Sequence, residues 1–128
     1  MRLWLTVLVA LLFASPAIAQ QSFKVAVSGK PVILNFVYNT APDCTNHGYA
    51  EVRIISQPQN GRVSVTRTTG FPTFPASNIR HVCNSRRVPG VEVRYTSRAG
   101  FLGTDYVSVE SISPQGASFS RSYAITVK

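Results

Sequence analysis

Seven short runs in which apolar and polar residues alternate follow residue 20, each closed by a cluster of Gly, Pro, Asn, Asp or Ser. No helical period competes with them. A strand sends successive side chains to opposite faces, so such runs describe strands with one face on a core and one in water. Strands are expected at 22–27, 32–38, 49–57, 62–67, 91–96, 105–112 and 117–127. Val52 and Ile54 oppose Glu51 and Arg53; Val63 and Val65 oppose Arg62, Ser64 and Thr66. Phe23, Val25 and Val27 share one face, as do Phe119, Tyr123, Ile125 and Val127, where Arg121 interrupts the series. Asn60-Gly61, after Pro58, reads as a tight hairpin turn, because both residues tolerate the positive φ of two-residue turns. The pattern is all-β.

The first nineteen residues stand apart. Arg2 precedes an apolar run from Leu3 to Ala14, followed by Pro16 and Ala17-Ile18-Ala19. A charged start, an apolar middle and a small-x-small end describe a secretory signal peptide cleaved after Ala19. The run is too short to span a bilayer, and nothing later is long and apolar enough to do so. No Cys follows the cleavage site to carry a lipid. The expected organisation is a signal peptide at 1–19 and one domain at 20–128, with the protein periplasmic or secreted.

Export gives the two cysteines their meaning. Cys44 and Cys83 are an even pair in a short chain bound for an oxidising compartment, so a disulfide between them is expected. Closing a loop of that length contributes about 4 kcal/mol in the chain-entropy account. The formal net charge is +8, carried mostly by arginine, and only five residues are acidic. Such a balance favours anionic partners, such as acidic polysaccharide or acidic protein. Export argues against nucleic acid.

Three segments carry a resemblance. Ile55-Ser56-Gln57-Pro58-Gln59-Asn60-Gly61-Arg62-Val63 resembles the I-x-x-P-x-x-G-x-V segment of bacterial immunoglobulin-like and cadherin-like modules. Tyr95 to Asp105, with Gly100-Phe101 and Gly103 between them, resembles their Y-x-P-x-x-G-F-x-G-x-D segment, with Ser97 in place of the proline. Tyr123-Ala124-Ile125-Thr126-Val127 resembles their closing strand. The resemblance implies an immunoglobulin-like Greek-key β-sandwich of about seven strands, as the strand count does; a small Greek-key barrel is the other closed solution. It also implies structural roles for Gly100, Phe101, Gly103 and Asp105: turn conformations, closure of the core and acceptance of backbone hydrogen bonds. Some cadherin-like modules bind calcium, but the dispersed acids here lack the convergence that ion needs.

The irregular stretch 68–90 departs from the family pattern and holds most of the candidate chemistry. Arg80, His81, Arg86 and Arg87 surround Cys83, and Phe71 and Phe74 lie between prolines. Basic forks beside aromatics suit anionic glycans or acidic protein surfaces. A bridge from Cys83 to Cys44 would pin this stretch to the 39–48 loop. His47 and His81, each near a cysteine, define a metal-binding alternative; a second alternative is an inhibitor that presents 68–90 to an enzyme's cleft. No Gly-x-Ser-x-Gly, His-Glu-x-x-His or phosphate-loop motif occurs, so no catalysis and no cofactor are expected. The expected function is binding of a protein or anionic glycan in the periplasm or cell envelope.

Overall fold

The computed structural model describes residues 20–128. The expected signal peptide lies outside the described residues. Seven strands form: β1 (Gln20–Ala26), β2 (Pro31–Tyr38), β3 (Glu51–Ser56), β4 (Gly61–Gly70), β5 (Val88–Ser97), β6 (Gly103–Ile112) and β7 (Ser118–Val127). A 3-10 helix at Ile79–Ser85 lies between β4 and β5. One sheet runs β1-β7-β6-β3 and the other β2-β5-β4. β1 is parallel to β7; the other pairs are antiparallel.

The two sheets enclose one core. Ala26, Val107, Val109, Tyr123, Ile125 and Val127 come from the first sheet, and Leu34, Val93 and Tyr95 from the second. Each fully buried aliphatic side chain contributes about 1.5–3 kcal/mol. Phe101 packs against this core from the loop before β6. Gly100 and Gly103, at φ +86° and +137°, adopt the left-handed backbone that brings it there. Among the described residues, no helix is long and apolar enough to cross a membrane.

Two expectations fail on strand pairing. Asn60-Gly61 is not a tight hairpin: β3 pairs with β6 and β4 with β5, so residues 57–60 cross from one sheet to the other. Neither Asn60 nor Gly61 has positive φ. Gly61 is needed for a different reason. A β-carbon there would lie 2.6 Å from the Thr96 carbonyl oxygen and 2.7 Å from the Tyr95 ring. The irregular stretch is also shorter than 68–90. Thr68 pairs with Gly90 and Gly70 with Val88, leaving 71–87 as the connection. Gly70 and Gly90 form a flat bed for the Phe36 ring, within 2.9 Å and 2.6 Å of where their β-carbons would be.

The face shared by Phe23, Val25 and Val27 is the solvent face, with Phe23 80% exposed. Ala26 instead points to the core. Alternation locates a common face, but an edge strand can turn either face to water.

Candidate functional site

The 71–87 connection is held down at several points. Cys44 and Cys83 form a disulfide with their α-carbons 5.5 Å apart, and Cys83 is fully buried. Cys44 takes a left-handed backbone at φ +68°, unusual for a residue with a β-carbon. Arg80 Nε donates to the Thr40 carbonyl at 2.8 Å. Asn84 closes a two-way bond with Phe74, accepting from its N–H and donating to its carbonyl, each at 2.9 Å. Phe74 meets Tyr38 edge-on at 5.1 Å, and the Thr73 N–H donates to the Tyr38 hydroxyl at 2.9 Å. Asn78 caps the 3-10 helix by accepting from the Arg80 N–H.

These anchors divide the candidate residues. Arg80 and Phe74 hold the connection to the body of the domain. Phe71, His81, Arg86 and Arg87 are exposed, and the Arg87 guanidinium lies over the Phe71 ring at 4.9 Å. Ile79 and Val82, which the sequence reading passed over, are exposed beside them. Among the described residues, the ion pairs are Glu51 with Arg53 and Glu92 with Arg94, so Arg86 and Arg87 pair with no acid. The arrangement is a rigid basic surface with apolar ground between its charges.

The histidines do not assemble a ligand set. The disulfide uses both thiolates, the His81 Nδ1 lies 3.1 Å from the Asn78 carbonyl oxygen, and His47 sits on the 39–48 loop. Among the described residues, no group of three or more His, Cys, Asp or Glu side chains is placed to hold a metal. Asp43 is held below the usual carboxylate range by the Thr45 hydroxyl and amide.

Asp105 is buried and saturated with hydrogen bonds. Its Oδ1 accepts from the N–H groups of Gln59 and Tyr106, and its Oδ2 from the Asn60 N–H and the Tyr95 hydroxyl. Burial, then the bond to Asp105, pushes the Tyr95 hydroxyl well above the usual tyrosine range. The Arg98 N–H donates to the Asn60 carbonyl at 2.8 Å. Segments 55–63 and 95–105, far apart in sequence, therefore form one knot at one end of the domain. The Ser97 hydroxyl accepts from the Gly29 N–H at 2.9 Å and ties the β1–β2 turn to the same knot.

A concavity opens between the sheets on the β1 and β2 side, with a volume of about 580 Å³. Asn35, Tyr38, Val109, Ser111, Phe119 and Arg121 are among its lining residues. A register shift between Ile33 and Asn35 lets Leu34 enter the core while Asn35 lines the groove. Phe119 shares its strand face with Tyr123 but is 70% exposed, because it reaches the groove rather than the closed core. Tyr123 is buried and its hydroxyl has no hydrogen-bond partner. Such an orphaned group costs about 1–3 kcal/mol. The sequence signal for this groove is the charge of Arg121 in an otherwise apolar inward series. Comparison with known protein families, curated proteins and solved structures finds no match to the chain.

Proposed function

We propose that the protein is an exported, non-catalytic immunoglobulin-like module that binds a protein or anionic glycan in the periplasm or cell envelope. The strand order supports the Greek-key reading: a first strand parallel to the last, and sheets of β1-β7-β6-β3 and β2-β5-β4. The disulfide supports an oxidising compartment. Binding rests on one observation, the Arg87–Phe71 stack beside Arg86 on a disulfide-anchored connection. Arginine forks without acidic neighbours attract carboxylates, sulfates or acidic side chains, and the anchors lower the ordering cost of association.

Retention on an immobilised acidic polysaccharide, measured against salt, tests this reading. The doubly reversed variant R86E/R87E should elute at much lower salt than the wild type. The variant K24E/K30E carries the same net charge and should elute close to the position set by its charge alone. Equal loss in both variants would mean a diffuse basic surface and would reject a localised site.

A further inference from the structure

The groove between the sheets carries a positive charge that no acidic residue among the described residues pairs with. Arg121 and Asn35 line it, and Arg121 forms no ion pair among the described residues. Tyr123 follows on the same face of β7, more than nine-tenths buried, with its hydroxyl unpartnered. The Arg121 guanidinium draws the hydroxyl's pKa back down, by its charge and as a loose hydrogen-bond donor, against the upward push of burial, and the hydroxyl itself lies beneath the groove rather than in its lining. Ser111, paired with Phe119 across the sheet, also lines the groove, and Phe119 offers an exposed ring.

We infer that this groove binds an acidic sugar, with the carboxylate of a uronate held by Arg121 and Asn35 and the pyranose ring laid against Phe119. Both groups can donate, which a carboxylate requires. The guanidinium fork matches a planar carboxylate in a way a point charge does not. No acidic residue lines the groove. The exposed aromatic ring suits the C–H side of a pyranose. The volume falls within the range of small-ligand sites, roughly 300–1,000 Å³. The inference does not depend on the surface at Arg86 and Arg87.

The test is an amide-resolved NMR titration of the purified protein with digalacturonate, an uncharged disaccharide of the same size, and benzoate. Digalacturonate should shift the amides of Asn35, Phe119 and Arg121 saturably. R121Q should weaken that binding about tenfold or more, the loss expected for one charged hydrogen bond. N35A, which removes the second donor and leaves the charge in place, should weaken it severalfold. R86E/R87E should bind as the wild type does. Absence of saturable shifts, equal response to the uncharged disaccharide, response to benzoate alone, or unchanged affinity in R121Q would overturn the inference. Loss of binding in R86E/R87E but not in R121Q would move the site to the 71–87 surface, and would overturn this inference while leaving the proposed function standing.

Discussion

The Tyr95 hydroxyl donates to Asp105 Oδ2 at 2.8 Å, and this bond joins the two sheets through buried side chains. Tyr95 belongs to β5 and Asp105 to β6. The same carboxylate receives the Gln59 and Asn60 amides where the chain crosses between sheets. Removing Asp105 would leave several buried donors without an acceptor. D105A should therefore destabilise the protein by about 3–5 kcal/mol, and Y95F by about 1–2 kcal/mol. Urea unfolding of both variants and of the double variant checks this, and the double variant should cost less than the sum.

The same bond sets an alkaline limit. Tyr95 and Tyr123 are both held above the ordinary tyrosine value, chiefly by burial. A raised folded-state pKa means the native state keeps a proton that the unfolded chain releases. The stability involved is intact below about pH 10 and is lost as pH climbs through the raised values. Unfolding free energy should be flat in this respect near neutrality and fall above about pH 10. Y95F and Y123F should each flatten part of that fall in a denaturant series across pH 8–12.

Gly61 and Gly100 have different reasons to be glycine, and alanine separates them. At Gly61 a β-carbon would press on the Thr96 carbonyl and the Tyr95 ring. G61A should cost about 1–3 kcal/mol, the range for overpacking, and should disturb the Asp105 knot. At Gly100 the space is open but φ is +86°. G100A should cost about 1–2 kcal/mol from the backbone alone. Thermal unfolding gives both values, and chemical shifts around Tyr95 should move only in G61A.

The disulfide holds the 71–87 connection in place. C44A/C83A should lose about 4 kcal/mol relative to the oxidised protein in the chain-entropy account. Amide exchange should rise first across 71–87 and 39–48, while β6 and β7 remain protected. Uniform loss of protection would mean that the bridge supports the whole core.

The alternation of Val63, Val65, Val93 and Tyr95 made the strands legible, because period two is a local signal. The long-range choices were not local. Asn60-Gly61 carries a hairpin signature, yet the Gln59 and Asn60 amides go to an aspartate more than forty residues away. That carboxylate, not turn chemistry, decides how the chain crosses between sheets. Phe23 and Phe119 were placed on apolar faces, but alternation cannot say whether a partner sheet covers a face at the edge of the fold. The same limit applies at the site: spacing grouped Arg80 with Arg86 and Arg87, while the fold gives Arg80 to the Thr40 carbonyl. The groove at Arg121 needs a bulge in β2 and an opening between sheets, neither of which has a sequence signature.

The central claim is that the surface of Phe71, Arg86 and Arg87 meets a partner. Photo-crosslinking in the native envelope tests it most directly, with the reactive group placed at Phe71 in one variant and at Ser64, on the outer face of β4, in another. The account predicts a discrete adduct from position 71 that disappears when R86E/R87E is added, and none from position 64. No adduct from position 71, or the same adducts from both positions, would contradict it.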